Sequence, residues 1–150
     1  MNDRKKILII DDDTLVCNSI ANVARSLGFE SAQAFTLEQG LEAVRSAPYD
    51  VVFLDVRMPD GNGIDILPQV CRNSGSPEVI VITAYGDPES VESALSKGAW
   101  DYIEKPFSKA DLTQLLKDAI LYHESSTLPQ TALDFENEGI LGQSPGMKKC

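Results

Sequence analysis

Several familiar chemistries are excluded by what these 150 residues lack. Positive charge is scarce: 13 lysines and arginines stand against 23 acids, for a net charge of −10. Electrostatic affinity for nucleic acid or an anionic membrane is therefore not expected of this chain by itself. The three cysteines, Cys17, Cys71 and Cys150, are odd in number, far apart and without a CxxC pair. That argues against a disulfide framework or a zinc site and fits a reducing compartment. The single histidine, His123, falls near the expected end of the last helix, where partial positive charge is mildly favourable, rather than in a ligand cluster. No apolar run approaches the roughly 18 residues that span a bilayer. The opening "MNDRKK" leads straight into an apolar run, so no signal peptide is expected and the cytoplasm is the default. A GxxxxGK[ST] phosphate loop is missing, so ATP binding is not expected. No internal repeats or low-complexity tracts break the pattern.

What is present is the composition of one ordinary domain, 43% hydrophobic and 24% charged. Five short apolar runs recur: "KILII" at 6–10, "SAQAF" at 31–35, "DVVFLD" at 50–55, "EVIVIT" at 78–83 and "DYIEK" at 101–105. Three are continuous and rich in Ile and Val, as strands buried on both faces of a parallel sheet require. Helical patterns lie between them. Val16, Ile20, Val23 and Leu27 step by helical intervals toward Gly28, and Thr36 with Gln39 has capping-box spacing. Asp87-Pro88 opens a segment closed by Gly98, and Ser108 with Asp111 opens the last helix. The third helix, near 64–73, contains Pro68, which must sit in the first turn or bend the helix. Five βα units with right-handed crossovers predict a doubly wound α/β fold, a five-stranded parallel sheet with helices on both faces. From about Glu124 the periodicity fades: 4–123 reads as the domain and 124–138 as a linker.

In such a sheet the carboxyl ends of the strands form one rim, where ligands bind. Asp11, Asp12 and Asp13 follow the first run, Asp55 ends the third, Thr83 the fourth and Lys105 the fifth. Each has a plain structural reading: acids at a solvated helix start, a loop cap, a capping hydroxyl, a surface lysine. Together they suit different chemistry. Clustered carboxylates fit Mg²⁺, which takes oxygen ligands and keeps part of its water. A carboxylate beside such an ion can act as a nucleophile toward phosphorus. The transferred group then needs compensation from a metal, a lysine and hydroxyl donors. Asp55, Lys105 and Thr83 with Mg²⁺ supply that set.

The spaced motifs "ILIIDDD", "DVVFLDVRMPDGNG", "VITAYGD" and "DYIEKPF" resemble the receiver domain of bacterial two-component response regulators, whose sheet is flavodoxin-like with strand order 2-1-3-4-5. The resemblance implies that Asp55 is the phosphoacceptor and a sensor histidine kinase the donor. It implies that Asp12 binds Mg²⁺ directly, that Asp11 helps, and that the backbone carbonyl of Arg57 is a further ligand. Lys105 would contact the phosphoryl group, with a cis bond to Pro106. Thr83 would swing toward the phosphoryl oxygens as the ring of Tyr102 rotates, although Tyr102 also reads simply as packing with its hydroxyl at the surface. Arg57 and Tyr85 occupy positions that tune loss of the phosphoryl group, and Pro59, Gly61 and Gly63 would shape the loop after Asp55. Asp13 reads as a helix cap. Cys17 and Cys71 read as small helix residues, and Trp100 as packing at the start of the fifth strand.

The closing "GILGQSPGMKK" resembles the opening of the AAA+ domain of NtrC-like sigma-54-dependent activators, which implies a truncated AAA+ start at 139–150. DNA and sigma-54 RNA polymerase would then be met only through domains absent here. Homodimerisation would use the face of the fourth helix, fifth strand and fifth helix, residues 88–120, or the linker helix. Three other readings are a stand-alone receiver that relays phosphoryl groups or docks on a protein, a Mg²⁺-dependent phosphatase, and a flavodoxin-like cofactor binder. The phosphatase needs an acid two residues past Asp55, where Arg57 stands; the cofactor's phosphate would meet three carboxylates first.

Overall fold

Strand-forming runs become strands where continuous apolar sequence can be buried on two sides. The computed structural model describes residues 5–73, 76–84 and 86–127. Its sheet contains β1 (Lys6–Ile10), β2 (Glu30–Ala34), β3 (Val51–Asp55), β4 (Glu78–Ala84) and β5 (Asp101–Lys105). All pairings are parallel, in the order β2-β1-β3-β4-β5. The register sets Ile9 beside Phe53 and Phe53 beside Ile80. This is the doubly wound fold expected above.

Side chains of a strand alternate between faces, and the core divides accordingly. Ile7, Ile9, Phe53, Ile80 and Ile82 pack with Ile20, Leu112 and Leu116, beneath α1 (Thr14–Ser26) and α5 (Lys109–Thr127). Leu8, Ile10, Val52, Leu54 and Val81 pack with Val44, Leu67, Val70 and Ala94 on the other face. That face lies beneath α2 (Leu37–Ser46), α3 (Leu67–Cys71) and α4 (Pro88–Ser96). β1 and β3 are buried over nearly their whole length because they occupy the centre, whereas β2 at the edge alternates partly exposed residues.

Side-chain oxygens cap the helices by satisfying the free N–H groups of their first turns. Asp13 accepts from Leu15 N (3.0 Å), Thr36 from Gln39 N (3.1 Å), Asp87 from Ser90 N (3.3 Å) and Ser108 from Asp111 N (3.0 Å). Gln39 returns a bond to Phe35 N (2.9 Å), one residue before the expected capping-box partner. The expected third helix is split: a 3₁₀ turn at Gly63–Ile66 precedes α3, and Pro68 is α3's second residue. Pro68 thus sits in the first turn, where its missing N–H costs no hydrogen bond.

α5 continues to Thr127, four residues past the expected domain edge. The remainder of the expected linker, the expected AAA+ start and Tyr85 lie outside the described residues. Cys17 is free and buried in α1, and Cys71 is buried as the last residue of α3, so both are the small helix residues expected. Trp100 packs against the core face of α5, its ring centroid 5.8 Å from that of Tyr122.

Phe53 is fully buried at the centre of the sheet. Phe53→Ala should lower unfolding free energy by roughly 3–5 kcal/mol in urea titration, from lost transfer energy plus the cavity.

Candidate functional site

The carboxyl ends of β1, β3, β4 and β5 converge on one cleft of about 430 Å³, lined in part by Asp12, Asp13, Asp55, Arg57 and Lys105. Ordinary backbone pairing places each chemical group there. Asp11 follows β1, and its N–H donates to Ala34 O (3.0 Å). Asp55 is the last residue of β3, next to Ile82 of β4 in the register. Lys105 is the last residue of β5, and its peptide bond to Pro106 is cis.

The charges are crowded. Asp11 is wholly buried and Asp55 nearly so. The Lys105 ammonium lies 3.2 Å from Asp11 Oδ2 and 3.8 Å from Asp55 Oδ2. Asp11 Oδ1 accepts the N–H of Asp13 (2.9 Å), whereas Oδ2 meets Lys105 as an ion pair without a well-directed hydrogen bond. Burial, then the neighbouring Asp11 charge, pushes the Asp55 carboxyl up to about 7, with Lys105 opposing. Burial lowers the Lys105 pKa, but Asp55 and Asp11 outweigh it and the net shift is upward. Beneath them the Cys17 thiol donates to Asp11 O (3.2 Å); burial, then Asp11 and Asp13, push its pKa up to about 12.

Asp12 is exposed at the mouth, and one oxygen each of Asp11, Asp12 and Asp55 lie within 4.8 Å of one another. An all-oxygen set of this charge, open to solvent on one side, fits a hard divalent cation such as Mg²⁺ that retains waters. Thr83 is 1% exposed, and its hydroxyl has no hydrogen-bond partner among the described residues. A buried hydroxyl without a partner is a donor in reserve.

Two side chains singled out in the sequence stand apart from the Asp11, Asp55 and Lys105 ion pairs, although Arg57 lines the same cleft. The Arg57 side chain is 79% exposed and points to Asp87, 4.0 Å away. Tyr102 is 37% exposed and lines a separate groove with Asp101, Glu104 and Phe107. Asp13 faces the cleft while capping α1.

The loop after Asp55 is more ordered than its polar sequence suggested. Arg57–Met58 and Gly61–Asn62 pair as a short antiparallel ribbon. Gly61 adopts φ 147°, and Gly63 donates to Val56 O (2.8 Å) so closely that a Cβ there would collide with the Asp55 carbonyl. Asp60, unrecognised in the sequence, accepts from Leu37 N (2.9 Å) and Glu38 N (3.2 Å), joining this loop to the start of α2. A proline-aspartate-glycine turn marks a loop but does not reveal a partner 22 or 23 residues away.

Residues 7–117 match the response regulator receiver domain. The transcriptional regulatory protein ZraR of Escherichia coli K12 is 33% identical over 147 residues, covering 98% of this chain and 33% of ZraR. The chain therefore spans about one third of that relative. The receiver domain protein (CheY-like) of Methanospirillum hungatei superposes with TM-score 0.77 at 28% identity, over 82% of this chain and 98% of that one. The beryllofluoride-activated NtrC4 receiver domain dimer superposes with TM-score 0.73 at 30% identity, over 79% and 98%.

The Asp55 shift has a thermodynamic sign. Its folded pKa exceeds the ordinary 3.8, so the stability tied to its protonation is complete below about pH 4 and lost as pH rises through about 7. In metal-free buffer at neutral pH, Asp55→Asn should raise unfolding free energy by on the order of 1–3 kcal/mol. Denaturant unfolding with a chelator measures it, and the gain should vanish near pH 4.

Proposed function

Because the chain belongs to the response regulator receiver domain family, we propose that it is a phosphorylation switch in which Asp55 accepts a phosphoryl group from a sensor histidine kinase. The observation that carries this reading is the juxtaposition of Asp55, Asp11 and Lys105, and the unpartnered hydroxyl of Thr83 near the end of β4 supports it. An Asp55 oxygen attacks phosphorus in line. The new bond is carboxylate oxygen to phosphorus; the bond broken joins phosphorus to the donor's imidazole nitrogen, which keeps the electron pair.

Attack needs the ionised carboxylate, which burial and Asp11 disfavour. Lys105 opposes that effect in the free protein and pairs with the phosphoryl oxygens in the product. Asp11, Asp12, Asp55 and the Arg57 carbonyl would hold Mg²⁺, with Asp12 the direct ligand and Asp11 the helper. When bound, the ion supplies charge neutralisation for the carboxylates and the transferred group. Asp11 also positions the ammonium of Lys105, 3.2 Å from its Oδ2. The Thr83 hydroxyl gains its missing acceptor in a phosphoryl oxygen, and Tyr102 rotates with it. This biases a two-state equilibrium on the face of α4, β5 and α5.

The output we infer is control of a sigma-54-dependent transcription-activating ATPase in a longer chain, through receiver dimerisation by that face or by the helix leading out of the domain. That ZraR is a transcriptional regulatory protein and that the activated NtrC4 receiver is a dimer support this reading. The second reading is a stand-alone receiver that relays phosphoryl groups or docks on a protein target. A reading frame that continues into an ATPase domain decides for the first. We place the protein in the cytoplasm; no helix among the described residues is long and apolar enough to cross a membrane.

Incubation with radiolabelled acetyl phosphate and Mg²⁺ should label the wild-type chain and leave Asp55→Asn unlabelled; full labelling of the variant overturns the assignment. Calorimetric Mg²⁺ titration should show binding lost in Asp12→Ala and kept in Asp13→Ala, because the Asp13 oxygen is already occupied by Leu15 N. Equal loss in both would reverse the division of roles.

A further inference from the structure

The floor of the sheet, at the amino ends of the strands, holds a second buried charge cluster. His123 of α5 lies between two carboxylates: Nδ1 is 3.1 Å from Glu78 Oε2 and Nε2 is 3.3 Å from Asp50 Oδ1. The imidazole side chain is 7% exposed. Asp50 immediately precedes β3 and Glu78 opens β4, so this cluster sits a full strand length, about 17 Å, from Asp55.

Both acids sit on hydrogen-bonded strand starts, and the Asp50 carboxylate is itself bonded to that frame. Asp50 Oδ2 accepts Lys6 N (2.8 Å), Asp50 N donates to Lys6 O (2.8 Å), and Glu78 N donates to Asp50 O (3.0 Å). Three strand starts therefore hold the acids in place before the histidine arrives. On the helix side few residues are buried. Ile120 is the last core residue of α5, and of residues 121–125 only His123 is buried, while Leu121 and Tyr122 are exposed.

We infer that Asp50, His123 and Glu78 form a charge-dependent clamp that docks the last turns of α5 on the sheet and so sets the line along which the chain leaves the domain. The dependence on charge follows from the ring. A neutral imidazole has one N–H donor and one lone pair; only the imidazolium donates from both nitrogens. Deprotonation would turn a lone pair toward one buried carboxylate, which is unfavourable where water cannot screen it. The clamp is independent of the phosphoryl reading.

The surrounding charges act in the same direction. Lys5 precedes β1 and pairs with Glu124 of α5 at 3.3 Å, outside the acids, and Tyr122 flanks Glu78. The bonds to Asp50 and Glu78 push His123 up to about 9 from the ordinary 6.5, against burial. Docking is thus complete below about pH 6.5 and lost as pH rises through about 9.

The test uses the whole 150-residue chain, whose single histidine makes the ring signals unambiguous. Ring carbon shifts of His123 and ¹³Cα shifts of residues 110–125 are followed by ¹³C-detected NMR from about pH 6 to about pH 10. The ring should titrate near 9, and residues 121–125 should lose helical shift in step while residues 110–118 keep it. A ring that titrates near 6.5, or an α5 end that stays helical through the transition, overturns the clamp. A second chain carries Asp50→Asn, Glu78→Gln and His123→Gln together, leaving no unpaired buried charge. Its α5 end should show no transition across that range; a persisting transition assigns the effect to another group and sinks the proposal.

Discussion

Two buried carboxylates share one ammonium at the rim of the sheet, and the arrangement of the fold follows from bringing those three groups together. β1 and β3 are neighbours, so Asp11 and Asp55 arrive side by side from adjacent strand ends. β5 is separated from β3 by β4, and Lys105 must reach across that strand's end to face them. The long lysine stem suits the span; a shorter side chain at position 105 would leave both acids facing each other. Thr83 lies near the end of the strand being crossed, paired in register with Glu104, the neighbour of Lys105. A crowded site of this kind destabilises the resting fold locally. The two apolar cores, one on each face of the sheet, offset that cost.

The two ends of β3 make opposite use of acid. At the amino end, burial would raise the pKa of Asp50, yet the His123 ring and the Lys6 amide donate to it and the net shift is downward. At the carboxyl end, Asp55 has another carboxylate beside it and a more distant ammonium, and its shift is upward. The same residue type on the same strand is held as a settled anion in one place and as a poised one in the other. Hydrogen-bond donors make the difference, more than depth of burial.

Much of this was legible in the chain because the informative signals are local. The Ile- and Val-rich runs, the caps at Asp13, Thr36, Asp87 and Ser108, and the alternation of strands with helices all depend on neighbours within four residues. The parallel, doubly wound sheet followed from general rules of connection, its strand order from the family resemblance, and the rim position of Asp11, Asp55, Thr83 and Lys105 from asking which strand each residue ends. What escaped notice joins distant segments. Asp60 reaches 23 residues back to α2, and His123 reaches 45 residues back to Glu78. His123 read as a helix-end residue because the helix was expected to stop there, whereas α5 runs on and buries the ring. Tyr102 and Arg57 were named by resemblance; Tyr102 is partly exposed, and Arg57 lines the cleft with its side chain turned toward Asp87.

Asp60 imposes a counting rule on the loop that carries the site. The stretch from Asp55 to Asp60 must fold into a ribbon and still deliver a carboxylate to the first two amides of α2. One residue added or removed would move that carboxylate by a residue's length, about 3.3 Å, beyond hydrogen-bond reach. Insertions, which surface loops ordinarily absorb, are therefore barred from this one, and its length is as much a part of the site as its acids.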